Sequence, residues 1–167
     1  MKNILIGILA LSITIVSCSK SSDKCTLTNI ETTAPGAEVA SVQNYLSANG
    51  IQAVGDPHGF FYKIIAPGAG TFVSNLCSKV SVNYVGKLTN GNIFDQSPAG
   101  TAPTFTLGQV IYGWVKGVPL IAKGGRILLF IPPSFGYGAN PQRDGSGNIV
   151  IPANSILIFD ITLVDIT

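Results

Sequence analysis

The sequence predicts an α+β domain built on an antiparallel β-sheet, and three observations carry that expectation. Apolar and polar residues alternate through "KVSVNYVGKL" (Lys79–Leu88), and runs rich in Ile, Leu and Phe recur at "RILLFIP" and "NSILIFDITLVDI". Pro-Gly and Asn-Gly dipeptides punctuate the chain at 67–68 and 90–91, where tight turns are expected. Helical spacing is confined to two short stretches, too little for a bundle or for crossover helices.

Taken in order, residues 1–18 ("MKNILIGILALSITIVSC") place one Lys ahead of an apolar run at 4–16, closed by Ser17 and Cys18. The run is too short to span a bilayer as a helix and suits the apolar segment of a signal peptide. The ending "IVSC" is similar to a bacterial lipobox, which implies cleavage after residue 17 and lipid on Cys18. The expectation is an exported protein, lipid-anchored to a bacterial membrane on the periplasmic or outer-membrane side. Residues 18–36, rich in Ser and Thr, carry no apolar period and are expected to form a lipidated tether. With Cys18 lipidated, Cys25 and Cys77 remain as an even pair, either a disulfide of an oxidising compartment or two free thiols.

Residues 37–58 are expected as a short N-terminal helix and turn, with Val39, Val42 and Leu46 on one face and Gly50 at its end. The folded domain then covers 59–167. A strand is expected over 59–70, ending in the Pro-Gly turn. In the next strand Val80, Val82 and Tyr84 share one face, while Ser81 and Asn83 share the other. "TNGN" predicts a type I′ hairpin turn, with a return strand through Ile93 and Phe94. "PTFTL" gives a further short strand, and "GWVKGVPLIAKGG" one brief helix with Pro119 near its end.

Composition removes several function classes. Ten basic residues against eight acidic ones leave the chain near neutrality, so nucleic acid is not an expected partner. His58 is the only histidine and sits in the turn "GDPHGF", which excludes multi-histidine metal sites and disfavours a catalytic triad. The phosphate-binding and hydrolase-elbow motifs GxxxxGK[ST], GxGxxG and GxSxG do not occur. "DGSGN" at 144–148 resembles a fragment of a calcium loop but has one carboxylate and no distal Glu. Neither metal nor cofactor is expected.

Aromatic and aliphatic groups gather instead at strand ends and turns: Tyr84, Phe94, Phe105, Val110, Ile111, Trp114, Tyr137, Ile151 and Phe159, with Asp95 directly after Phe94. Singly, each suits a core position. The blocks "NYVGKLTNGNIFD", "FTLGQVIYGWVKGV", "PPSFGYG" and "IPANSILIFDITL", however, follow one another in an order that resembles the FKBP-type peptidyl-prolyl isomerases. The resemblance covers about 59–167. It implies a twisted antiparallel sheet half wrapped around a short α-helix, and rotation of Xaa-Pro peptide bonds without covalent chemistry. It further implies Trp114 as the floor of a proline-sized pocket walled by Tyr84, Phe94, Val110, Ile111 and Phe159. Asp95 would sit at the edge and Tyr137 would offer its hydroxyl, while Ile151 would give its side chain and backbone N–H.

The chain departs from that pattern in places. Pro103 stands where well-known members carry an aromatic wall residue, and the Arg that often pairs with the pocket Asp is missing, so a macrolide ligand is expected to bind weakly. Tyr112 replaces a Pro common in bacterial members, and the loop 139–150 is expected to overhang the pocket as a mobile flap. The implied partners are proline-containing unfolded or exported polypeptides, and the expected state is a monomer. Two other functions fit the same residues: a proline-peptide-binding chaperone module without turnover, and a structural lipoprotein whose pocket does nothing.

Overall fold

In the computed structural model, residues 25–28 and 30–167 are described; the expected signal peptide and Cys18 lie outside them. Helix α1 (Gly36–Ala48) precedes strands β1 (Val54–Gly55) and β2 (Phe61–Ala66), then β3 (Lys79–Leu88), β4 (Ile93–Gln96) and β5 (Thr104–Thr106). Helix α2 (Tyr112–Gly117) and β6 (Arg126–Ile131) follow. A small hairpin, β7 (Gln142–Arg143) and β8 (Ile149–Ile151), comes next, and β9 (Leu157–Ile166) closes the chain. The main sheet runs β1-β2-β6-β9-β3-β4, with β5 sharing the outer edge of β3, and every pairing is antiparallel.

Alternation explains the layers. On β9, Leu157, Phe159, Ile161 and Leu163 are buried, and the residues between them are more exposed. They meet Val80 and Val82 of β3 and Ile127, Leu129 and Ile131 of β6 in the main core under α2. Helix α2 approaches β6 closely because its facing positions lack side chains. A Cβ on Gly113 would lie 2.6 Å from Ile131, and one on Gly117 would lie 2.5 Å from Leu129. Four residues of helix rise about 6 Å and two residues of strand about 6.7 Å, so the glycine pair and the aliphatic pair stay in register. On the opposite face of the sheet, α1 buries Val42 and Leu46 against Phe130, each side chain contributing roughly 1.5–3 kcal/mol.

One expectation needs correction, and two others gain detail. The turn after β3 is not type I′: Gly91 has φ 87°, but Asn90 is not in the left-handed region. Gly91 N–H instead donates to Leu88 C=O (2.9 Å), and Asn90 Oδ1 accepts from Asn92 N–H (3.0 Å). Asn90 satisfies the turn with its side chain, so only Gly91 needs positive φ. The loop 139–150, expected as a mobile flap, carries the β7–β8 hairpin, whose tip is organised by Asp144 accepting from Ser146 and Asn148 N–H. In the stretch expected as an unpatterned tether, the segment 30–34 is docked on the domain and Cys25 is tied to it. Cys25 is disulfide-bonded to Cys77 with Cα atoms 5.6 Å apart, and Ala34 N–H donates to His58 C=O (2.8 Å). None of those partners is local, which is why the segment's own pattern did not announce its docking.

Candidate binding and catalytic pocket

A cavity of about 310 Å³ opens at one end of the main core, lined by Tyr84, Asp95, Phe105, Gln109, Val110, Ile111, Trp114, Tyr137 and Phe159. Trp114 reaches it from the middle of α2 and is 4% exposed. Three rings meet the indole nearly edge-on: Tyr84 at 5.2 Å and 79°, Phe105 at 5.8 Å and 82°, and Phe159 at 5.2 Å and 87°. Such edge-to-face pairs contribute about 0.5–1.5 kcal/mol each beyond area burial. The Trp114 Nε1–H is buried without a hydrogen-bond partner. The floor is therefore fixed by shape and offers no conventional acceptor to its own N–H.

Asp95 reaches the cavity because β4 is bulged. Gly86 pairs with Asp95 and Lys87 with Ile93, so Phe94 is an extra residue opposite the β3 ladder. In a regular strand Phe94 and Asp95 would point to opposite faces; the bulge brings both to the core side. Phe94 packs edge-on against Phe159 (5.4 Å, 85°), and Asp95 Oδ2 accepts from the Tyr84 hydroxyl (2.7 Å). A glycine makes room for this pair, since a Cβ on Gly86 would come within 2.7 Å of Phe94 and 2.8 Å of Phe159.

Two phenols act here with different freedom. Burial, reinforced by the hydrogen bond to Asp95, pushes the Tyr84 hydroxyl well above its ordinary pKa. Burial also raises Tyr137, with the Asp95 charge adding to it. Both are neutral donors at physiological pH, but Tyr84 is committed to Asp95. Tyr137 is 36% exposed, and among the described residues none accepts a hydrogen bond from its hydroxyl.

Of the residues implied by the sequence, Tyr84, Asp95, Val110, Ile111, Trp114, Tyr137 and Phe159 meet on this one cavity. Phe94 stands behind Phe159 rather than on the wall. Ile151 is 4% exposed in the main core, paired with Gln142 in the β7–β8 hairpin, and is off the wall too. Two wall residues were not assigned to the pocket from the sequence: Phe105, which had been grouped with the other aromatic candidates, and Gln109. Phe105 pairs with Val80 across β5 and β3, so its alternation in "PTFTL" was the available signal. It supplies an aromatic wall despite Pro103. Gln109 ends the single 3₁₀ turn 107–109, where periodicity carries no information. A larger cleft of about 560 Å³ lies beside the Cys25–Cys77 bridge, but it is lined without any aromatic ring. Among the described residues, no cluster of His, Cys, Asp and Glu could hold a metal, and no helix is long and apolar enough to cross a membrane.

Comparison with known proteins converges on this region. A family profile described as FKBP-type peptidyl-prolyl cis-trans isomerase matches residues 73–164. The "FKBP-type peptidyl-prolyl cis-trans isomerase FkpA" of Buchnera aphidicola subsp. Schizaphis graminum is 45% identical over 109 residues, covering 65% of this chain and 41% of that protein. A "Probable FKBP-type peptidyl-prolyl cis-trans isomerase" of Haemophilus influenzae is 43% identical over 109 residues, covering 65% and 43%. The crystal structure of FkpA from Escherichia coli superposes with a TM-score of 0.65 at 34% identity, covering 78% of this chain and 60% of that one. The chain thus spans less than half the length of the two curated relatives.

Proposed function

The chain belongs to the FKBP-type peptidyl-prolyl cis-trans isomerase family, and from that premise we propose that it rotates Xaa-Pro bonds of incompletely folded, exported polypeptides in the Trp114 cavity. One observation carries the reading: an aromatic box closed below by Trp114, with a single uncommitted phenol donor, Tyr137, on its wall.

The chemistry suits such a box. Rotation about an amide faces a barrier of about 18–20 kcal/mol because resonance must be broken. Proline is the natural substrate, since its cis form lies only about 0.5–1 kcal/mol above trans. As the bond twists, the amide loses dipole, and water solvates the planar state better than the twisted one. An apolar cavity removes that preference and so favours the transition state. Tyr137 donates to a substrate carbonyl and orients it. Asp95, held by Tyr84, presents a fixed anion to a carbonyl carbon that grows more electrophilic as resonance is lost. Lowering the barrier by about 5–6 kcal/mol gives roughly ten-thousandfold acceleration.

The apolar segment at 4–16 and the "IVSC" ending support a lipoprotein tethered to a bacterial membrane through Cys18, on the periplasmic or outer-membrane side. The Cys25–Cys77 bridge supports an oxidising compartment. A macrolide would occupy the same box with weakened affinity, because no Arg accompanies Asp95 at its rim. The protein acts as a monomer, since the apolar face of α1 is already spent on Phe130.

Cis/trans exchange of a prolyl tetrapeptide, followed by NMR beside Asp95→Ala, Tyr137→Phe and Trp114→Ala, tests the reading. Strong acceleration that falls in the three variants supports it. Peptide shifts without acceleration would replace it with a proline-peptide-binding chaperone module.

A further inference from the structure

Tyr112 lies outside the cavity yet touches both segments that equip it. It is the first residue of α2, two positions before Trp114. Its ring meets Phe135 edge-on at 4.5 Å and 83°, and Phe135 ends a single turn two residues before Tyr137. Its hydroxyl accepts from Thr32 N–H (3.3 Å), and Lys116, one helical turn on, places Nζ 5.5 Å from its ring centre. Glu31 in turn accepts from Lys116 Nζ with both carboxylate oxygens (2.8 and 2.9 Å). Glu38 of α1 accepts from Ser134 N–H (2.8 Å), in the same turn as Phe135. All three N-terminal partners, Glu31, Thr32 and Glu38, precede the region that matches the family profile.

We propose that Tyr112 is a positioning residue: it couples the docked segment 30–34 to the cavity by fixing Trp114 on α2 and Tyr137 beyond Phe135 relative to each other. A six-residue helix is far below the length that is stable alone, so its orientation depends on what grips it. Gly113 and Gly117 hold one face against β6. Tyr112 and Lys116, again four residues apart, hold the other against the N-terminal segment. The stretch carrying Tyr137 belongs to no strand between Ile131 and Gln142 and needs side supports, which Tyr112 and Glu38 supply.

The kinetic half of this inference rests on the isomerase reading, so the test has a second readout. Trp114 is the only tryptophan, and its indole N–H gives one resonance in a ¹⁵N–¹H spectrum of the purified protein. Tyr112→Pro removes ring and hydroxyl at a first helical position, where Pro is tolerated; Ile111, at ψ 148°, already has the backbone a following Pro requires. The expected result is a displaced indole resonance and a fall in kcat/KM of about five- to twentyfold, with under threefold for Tyr112→Phe, which keeps the ring. Glu31→Gln should displace the resonance in the same direction and provides the test if the proline variant does not fold. Asp165→Asn, which breaks an ion pair with Lys123 away from the cavity, should change neither readout. Unchanged resonance in folded Tyr112→Pro and Glu31→Gln overturns the proposal, as does a displaced resonance with unchanged kcat/KM in an active protein. Should the wild type not accelerate exchange at all, the isomerase reading falls, and a displaced Trp114 resonance still sustains the coupling.

Discussion

Gly86→Ala perturbs the cavity without substituting any of the side chains that line it. Gly86 sits on β3 on the same face as Tyr84, and its φ is not positive, so the backbone accepts alanine. The new Cβ would lie 2.7 Å from Phe94 and 2.8 Å from Phe159, against about 3.5–4.0 Å for an ordinary carbon contact. Both rings must retreat by roughly 0.7–1.3 Å. Phe159 has little room: it is 4% exposed and wedged between Trp114 and Phe94. Overpacking of this kind costs about 1–3 kcal/mol, offset by about 0.4–1 kcal/mol from the stiffer unfolded chain. Net destabilisation is therefore about 0–2.6 kcal/mol, with a middle value of about 1.3 kcal/mol read as a lower urea midpoint at unchanged slope. Misplacing a wall by about 1 Å should lower kcat/KM for a prolyl peptide roughly ten- to hundredfold. Gly36→Ala, into open space, should leave kcat/KM unchanged. If Gly86→Ala matches the wild type in both midpoint and kcat/KM, the close packing of Phe94 and Phe159 on β3 is not what shapes the cavity.

Trp114→Ala should lower stability by about 3–5 kcal/mol in the same urea titration and abolish measurable acceleration, because floor and core are one side chain. Tyr84→Phe leaves Asp95 without its donor, and exchange NMR should show a fall in kcat/KM while the fold persists. His58 donates through both ring nitrogens, to Asp56 and to Glu31, and these bonds raise its folded pKa above the ordinary 6.5. Its contribution to stability is thus complete below pH 6.5 and is lost as pH rises through the raised value. Thermal midpoints taken upward from pH 6 should fall for the wild type and stay flat for His58→Gln; parallel curves would contradict the double hydrogen bond. Cys25→Ser with Cys77→Ser opens a loop of sequence separation 52, for which chain entropy sets about 4 kcal/mol, and the urea midpoint should fall accordingly.

The sheet was legible because its strands obey one period. "KVSVNYVGKL" begins and ends where β3 does, and the last strand alternates through ten residues. Helix α1 was equally readable, since Val42 and Leu46 recur at helical spacing and Asn49–Gly50 stop it. What stayed hidden is everything set by distant partners. Nothing local in "CTLTNIETTA" shows that Glu31 will meet Lys116, 85 residues away, whereas the cysteine count had already offered Cys25 and Cys77 as a pair. The turn after β3 was misjudged because Asn side chains satisfy backbone donors in more than one turn type.

The cavity itself is built where the period fails. A bulge turns Phe94 and Asp95 to one side, a single turn at 107–109 presents Gln109, and another at 133–135 delivers Tyr137. Periodicity alone therefore marks these residues as ordinary core or loop, and the order of four motifs singled out Phe94, Asp95 and Tyr137 but not Gln109. Glycine is the sequence trace that such breaks leave behind. Gly86, Gly113 and Gly117 each occupy a place where a methyl group would strike a core or cavity side chain, and none of them has positive φ. Their requirement is space rather than backbone freedom, which separates them from the turn glycines at 91 and 138. Where a glycine interrupts an otherwise apolar face at helix or strand spacing, a large neighbour is filling the gap. Here the fillers are Phe94 and Phe159 above the cavity, and Leu129 and Ile131 beneath the helix that carries its floor.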